Sequence, residues 1–144
     1  MPSAFRFPET YVHLGDDGSA VPLPVTESFW ADLAAGKLGD LGSGRLVTFH
    51  AFDADWSSWE VHPNGDELVC LISGAVDFVL ERAEGEATVE LRGPGAFVLV
   101  PRGTWHTARV REPSSALFVT AGRGTQHRPA REPGGTHPPM EETA

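Results

Sequence analysis

The sequence has few of the features that mark specialised classes of protein. It contains one cysteine, Cys70, so an internal disulfide framework is excluded. Because Cys70 lies within the apolar run of residues 68–72, we expect a buried and inert thiol rather than a nucleophile. No apolar stretch approaches the roughly 20 residues of a membrane-spanning helix. Residues 1–10 lack a basic start followed by an apolar run, so we predict no signal peptide and a cytoplasmic protein.

Basic residues are also scarce. The chain has 11 Lys and Arg against 20 Asp and Glu, which gives a formal net charge of −9. Nucleic acids and anionic membrane surfaces are bound by clustered Lys and Arg, so we expect neither as a partner. The one loose basic grouping indicates a solvated rim, and its members are Arg92, Arg102, Arg109 and Arg111.

What the chain does contain is typical of a soluble all-β domain. Its 144 residues are enough for one domain with a real core, and 40% of them are hydrophobic. Sixteen glycines and twelve prolines indicate many turns between short strands.

Turn signals divide the chain into three parts. Residues 1–44 form an N-terminal extension, in which Thr26 can cap a short helix near 26–38. Residues 45–122 read as a barrel, and residues 123–144 as a flexible tail that contains His127 and His137, both expected to be solvated. The predicted strands are 45–53, 56–62, 67–73, 75–82, 86–92, 96–100, 104–111 and 115–121, with turns at Gly74 and at Pro113-Ser114 among others.

Two short motifs within the barrel carry the chemistry. The first runs from Trp59 to Glu67, reads WEVHPNGDE and is followed by Gly74; in the second, Gly95 precedes a Pro-Arg-Gly turn and His106. Side chains alternate faces along a strand, so Glu60 and His62 point the same way. The Pro-Asn-Gly turn lets the chain reverse and bring Glu67 back beside His62.

Together the motifs resemble the paired motifs of the cupin superfamily. In that family two histidines, a glutamate and a later histidine hold a divalent metal inside a small barrel. The resemblance implies an all-β, cupin-type double-stranded β-helix (a jelly-roll barrel) in which His62, Glu67 and His106 bind metal. The chain departs from the family pattern at Glu60, which replaces the first histidine, at Ala54, which replaces a glycine, and at Val110, which replaces an asparagine.

Two imidazoles and a carboxylate suit Mn, Fe, Co, Ni or Zn as a divalent ion, with positions left open for substrate or dioxygen. Glu60 is predicted either as a fourth ligand, which would harden the site towards Mn(II) or Fe(II), or as a catalytic general base or a substrate-binding group beside a weaker metal site. Two carboxylates that face one cavity without a cation would be costly, which favours a metal between them.

The resemblance leaves the activity open. One hypothesis is a metal-dependent dioxygenase or isomerase with a small-molecule substrate, and the alternative is a non-catalytic binding or sensing module, with or without metal. Trp56 and Thr104 are predicted to line the ligand pocket. We also expect a homodimer, for which the helical stripe of Phe29, Trp30 and Leu33 offers apolar surface.

Overall fold

A computed structural model describes residues 2–39 and 41–130 of the chain. Its elements, in chain order, are β1 (Thr10–Leu14), β2 (Ala20–Pro24), α1 (Phe29–Ala34), β3 (Arg45–Phe52), β4 (Ser58–Val61), β5 (Glu67–Arg82), β6 (Gly85–Arg92), β7 (Phe97–Val100), β8 (His106–Thr120) and β9 (Gln126–Pro129). The strand pairs that these elements form are antiparallel. The predicted all-β class with a short N-terminal helix is confirmed.

Two long strands, β5 and β8, organise the barrel. The first part of β5 pairs with β7 and with the end of β8, whereas its second part pairs with β6 and with the start of β8. Strand β8 also pairs with β3 and β4, and β3 continues the sheet to β1 and β2. Because each long strand serves two layers, the sheet folds over itself into the predicted jelly roll.

The turns predicted at Gly74 and at Pro113-Ser114 are bends within continuous strands, so this part of the prediction is wrong. The register between β5 and β8 shifts between Leu71 and Val76. The Ser114 hydroxyl bonds the backbone N–H and carbonyl of Ala75, at 3.1 and 3.2 Å, which keeps the two strands paired through the bend. Gly74 has φ +91°, and a Cβ there would meet the carbonyl oxygen of Pro113.

The N-terminal helix is shorter than predicted. It spans Phe29–Ala34 rather than 26–38, and Ser28 occupies its N-cap position without a capping hydrogen bond from its side chain. Thr26, the predicted cap, contacts the Ser28 hydroxyl at 3.3 Å instead. Gly36 adopts φ +74° and its N–H bonds the carbonyl of Leu33, which ends the helix.

Part of the predicted flexible tail is a strand. β9 pairs with β4 over four residue pairs. The guanidinium of Arg128 lies over Trp105 at 4.5 Å and over Trp59 at 5.3 Å, and it also forms an ion pair with Glu81. These distant contacts, rather than local composition, fix β9. Residues 131–144 lie outside the described residues, and the division of the chain at residues 44 and 122 stays a prediction.

Two apolar clusters fill the interior. The larger one lies between the two layers and consists of Trp56, Val69, Leu71, Val76, Phe78, Leu80, Leu91, Val98, Val100, Ala108, Ala116 and Phe118. The smaller one packs α1 and the N-terminal hairpin against β3 through Tyr11, Leu23, Phe29 and Leu46. Within the described part of the chain, no helix is long and apolar enough to cross a membrane.

Candidate metal centre

Three strands bring the chemically important side chains into one row. β4 lies between β8 and β9, and Glu60 is the register partner of His106 on one side and of His127 on the other. Directly opposed residues of antiparallel strands project from the same face of the sheet. His62 follows two residues after Glu60 and therefore points from that face too. Glu67 joins them from the start of β5, after the predicted tight turn.

The ligand atoms of the four predicted residues converge. One ligand atom each from Glu60, His62 and His106 lie within 4.8 Å of one another. Glu67 contacts both histidines: its Oε1 is 3.1 Å from Nε2 of His106, and its Oε2 is 3.2 Å from Nε2 of His62. All four side chains are at most 2% exposed, so the cluster is shielded from water.

The hydrogen bonds of His106 set its tautomer. Its Nδ1 lies 3.1 Å from the carbonyl oxygen of Thr104. A carbonyl oxygen can only accept, so Nδ1 carries the proton. Nε2 is therefore the nitrogen that faces the cluster, an arrangement typical of a metal-binding histidine.

His62 is oriented in the same way by a residue of the C-terminal segment. Its Nδ1 lies 2.8 Å from the hydroxyl oxygen of Thr125, and that hydroxyl lies 2.7 Å from the carbonyl of Gly122. The one hydroxyl proton must go to the carbonyl, so the Thr125 oxygen accepts from Nδ1–H of His62. Nε2 of His62 is again the nitrogen that faces the cluster.

The carboxylates and His62 shift one another's pKa. Burial works to lower the pKa of His62, but the hydrogen bonds and charges of Glu60 and Glu67 outweigh it and raise the pKa from 6.5 to about 10. Burial works to raise the pKa of Glu67, yet hydrogen bonds from His106 and His62 lower it. Against the same effect of burial, His127 and His62 lower the pKa of Glu60. Without metal, two carboxylates thus surround a protonated His62.

The donor set fits a divalent cation. Nε2 of His62, Nε2 of His106 and Oε1 of Glu67 are buried, and the polar groups that lie near them are those of the cluster itself. Adjacent ligands of a metal bound at about 2.1 Å lie about 3 Å apart. The contacts among these groups and Glu60 are 3.1 to 3.6 Å. A cation that replaced the proton on His62 would satisfy all of these atoms at once.

Three residues that hold the centre were not predicted from the sequence. The hydroxyl of Thr120 donates to Oε2 of Glu67 at 2.6 Å, and Thr125 orients His62. Nε2 of His127, a residue expected to be solvated, lies 3.3 Å from Oε1 of Glu60. All three follow the second motif, where no local pattern marks them. The pairing of β8 with β5 brings Thr120 beside Glu67, and the pairing of β9 with β4 brings His127, with Thr125 just before β9, to the site.

The two residues predicted to line a ligand pocket lie beside the centre. Trp56 is 3% exposed and packs in the larger core cluster, with its ring centroid 6.3 Å from that of His106. Thr104 is half-buried and contributes its carbonyl to His106. Their role towards a ligand stays a prediction.

A cavity of about 450 Å³ lies between α1, the glycine-rich loop before β3 and the turn after β8. Its wall includes His13, Trp30, Leu33, Leu46, Thr120 and Arg123. Trp56, Thr104 and the four candidate ligands are not among the described residues that line it. Thr120 nevertheless connects the cavity to the centre, because its hydroxyl bonds Glu67.

No protein-family model and no curated protein matches the sequence. Solved structures do match. A variant of oxalate decarboxylase from Bacillus subtilis is 17% identical with a TM-score of 0.50, and the match covers 60% of this chain and 24% of that one.

Two further structures are similar over about half of the chain. A cupin-2 domain-containing protein from Shewanella frigidimarina is 15% identical, with 52% of this chain and 68% of that chain covered and a TM-score of 0.43. Hydroquinone 1,2-dioxygenase from a Sphingomonas species, solved with 4-hydroxybenzoate bound, is 20% identical, with coverage of 56% and 62% and a TM-score of 0.45. This chain thus spans less than two thirds of the dioxygenase and about a quarter of the decarboxylase. The match to oxalate decarboxylase, at 17% identity, supports a fold and not an activity.

Proposed function

We propose that this chain, which has the cupin fold that its paired motifs predicted, binds one divalent transition metal through His62, Glu67, His106 and Glu60. The observation that carries the proposal is the orientation of the two histidines. Each has its Nδ1 proton tied to an oxygen acceptor and its Nε2 turned into a buried cluster with two carboxylates. A merely structural pair of histidines would not need both carboxylates at this distance.

The ligand types favour a hard metal. Two carboxylates and two imidazoles match Mn(II) or Fe(II) better than softer ions, and two negative charges balance a divalent cation. When bound, such a metal can polarise a carbonyl group or activate dioxygen, as an isomerase or a dioxygenase requires. Glu60 can serve either as the fourth ligand or, if it leaves the metal, as a general base.

Metal analysis tests the proposal. Protein purified without a histidine tag and reconstituted separately with Mn, Fe, Co, Ni and Zn should retain about one metal per chain with at least one of them. His106→Ala should abolish retention, because it removes a ligand that no neighbour can replace. His13→Gln is the matched control, since His13 is also buried but bonds the carbonyl of Ser43 at 2.7 Å, away from the cluster. Retention of none of the five metals by the wild-type protein would contradict the proposal.

A second candidate is a binding module that holds a small molecule without converting it. It is favoured by the cavity beside α1, whose volume suits a small ligand and whose described lining contains none of the four candidate ligands. A thermal-shift screen of metabolites with the metal-loaded protein separates the candidates, because a ligand stabilises the fold in proportion to the logarithm of its concentration over its dissociation constant. Recovery of a bound compound unchanged, in air and with metal present, favours the module. Conversion of the compound favours the enzyme.

We further propose that the chain forms a homodimer. Phe29, expected to offer dimer surface, is 1% exposed and packs inside the fold. A continuous exposed apolar surface lies instead on the outer face of β5, β7 and β8, where Leu99 and Phe97 are 59% and 56% exposed. This outer apolar face consists of Leu68, Cys70, Ile72, Phe97, Leu99, Leu117 and Val119, which are register neighbours or alternate along one strand. Cys70, expected to be buried, is half-buried there.

The outer apolar face suits a two-fold interface, because one patch then covers the same patch on a second copy. Light scattering at micromolar concentration should give twice the monomer mass, and Phe97→Glu should give the monomer. Arg82→Glu, an exposed change at the far end of β5, is the control. A monomeric wild-type protein would remove the dimer while leaving the metal proposal intact.

A further inference from the structure

We propose that His127 is a positioning residue of the metal centre, which holds Glu60 so that Oε2 of this carboxylate is turned towards the cation that the centre would bind. The inference rests on the proposed function, and it makes β9 part of the site. The register already places His127 on the same face as Glu60 and on the opposite side from His106. Glu60 therefore lies between two histidines that come from different strands.

The two oxygens of Glu60 face different partners. Oε2 lies 3.6 Å from Nε2 of His62, on the side of the cluster, whereas Oε1 lies 3.3 Å from Nε2 of His127. Glu60 is 1% exposed, so water cannot take the place of either partner freely. A hydrogen bond from His127 uses a lone pair of Oε1 and fixes the carboxylate with Oε2 turned towards the cluster, so Oε2 is the oxygen best placed for a cation. Ligating carboxylates are commonly held in this way by a hydrogen bond to their second oxygen.

The contacts of strand β9 hold His127 in place. Four backbone pairs join β9 to β4, and the next residue, Arg128, is held over Trp59 and Trp105. Just before β9, Thr125 orients His62. One short segment thus orients a ligand on each side of the centre.

The presence of Glu60 where the cupin motif has its first histidine explains why a hydrogen-bond donor such as His127 is needed. A glutamate at position 60 puts a second carboxylate into a buried site that already contains Glu67, and like charges at close range repel one another. A donor on Oε1 offsets part of that repulsion and fixes the rotamer of Glu60. An imidazole returned by β9 thus supports the carboxylate that stands where the motif has its histidine.

Variants at position 127, loaded with Mn(II) or Co(II), test the inference. His127→Ala should weaken Mn(II) binding by about 10- to 100-fold, the usual effect of losing a ligand's outer partner, and should alter the Mn(II) electron paramagnetic resonance and Co(II) visible spectra. His127→Gln, whose amide nitrogen reaches the position of Nε2, should restore most of the affinity and the wild-type spectra. Arg128→Gln is the matched control, because it loosens β9 without removing the donor.

The outcomes separate this inference from the proposed function. If wild-type protein binds no metal, the proposed function itself fails. If wild type and His127→Ala bind Mn(II) equally tightly with identical spectra, His127 does not position Glu60, while the metal centre stands. If Arg128→Gln weakens binding as much as His127→Ala and His127→Gln restores nothing, β9 acts only as packing and the inference is overturned. Should His127→Ala fail to fold, the comparison of His127→Gln with wild type and Arg128→Gln decides.

Discussion

At the scale of single residues, Glu60 determines the charge of the centre. Its side chain is buried, with one carboxylate oxygen facing His62 and the other facing His127. It occupies the position at which the cupin motif has a histidine. Together with Glu67 it gives the site two negative charges, which a divalent cation can balance. The identity of this one residue should therefore decide which metal is preferred.

Glu60→His tests that role. An imidazole at position 60 restores the ligand set of the cupin motif and removes one carboxylate, so the site should still bind metal but become softer. We expect the preference for Mn(II) over Zn(II) to fall by about tenfold or more, which corresponds to about 1.4 kcal/mol. Competition between the two metals, followed by elemental analysis, measures the ratio, with the exposed change Glu86→His as control. An unchanged ratio would show that Glu60 does not touch the metal.

The raised pKa of His62 predicts how the metal-free protein responds to pH. Its pKa is about 10 in the folded chain against 6.5 as the ordinary value. A raised pKa stabilises the fold fully below the ordinary value, and this contribution is lost as pH rises through the folded value. The free energy of unfolding of metal-free protein should therefore fall between about pH 6.5 and pH 10, as urea titrations can measure.

His62→Gln supplies the comparison for the pH experiment, because it removes the titrating group. The wild-type protein should lose more stability than His62→Gln over this range. Equal slopes for the two proteins would mean that His62 is not protonated between the carboxylates. In the same range metal uptake should release a proton, since the metal replaces the proton on Nε2.

At the scale of elements, the bend shared by β5 and β8 shapes the barrel. Gly74 lies at this bend with a positive φ and directly against the backbone of Pro113. Gly93 has a similar φ, +83° against +91°, but open space where a Cβ would be. Substitutions at these two glycines therefore allow the cost of backbone strain to be distinguished from the cost of steric contact.

Alanine at each of these positions gives a matched pair. Gly93→Ala should cost about 1 kcal/mol of unfolding free energy from the strained backbone alone. Gly74→Ala should cost clearly more, about 3 kcal/mol, because the strands must also separate at the bend. Chemical denaturation measures both values. Equal losses would show that the close approach at Gly74 does not matter to stability.

The elements also show how far sequence reasoning reaches. Alternation and turn residues predicted most of the barrel strands, and together with the resemblance to the cupin motifs they suggested that His62, Glu67 and His106 lie close together, as they do in the structure. They failed at Gly74, because a glycine that permits a bend looks the same in sequence as one that ends a strand. They also failed at β9, since Gln126–Pro129 has no apolar alternation and is fixed by Arg128 and its tryptophans. His127 and Thr125 were missed for the same reason.

At the scale of the whole molecule, the fold by itself leaves the function open, because cupin barrels host many activities. Three features of this chain limit the possible functions: a buried cluster of two carboxylates and two imidazoles that could hold a metal, a cavity that touches this cluster through Thr120, and an exposed outer apolar face. The first feature matters most for function, because the enzyme and the metal-loaded binding module both require it.

The most direct test of that centre is the metal content of the purified protein. Elemental analysis after reconstitution should find about one Mn or Fe per wild-type chain, and essentially none in the double variant His62→Ala/His106→Ala. The wild-type metal should also raise the thermal midpoint, since a ligand of the native state stabilises it by mass action. A wild-type protein that is folded, as circular dichroism would verify, and yet carries no more metal than the double variant would contradict the account.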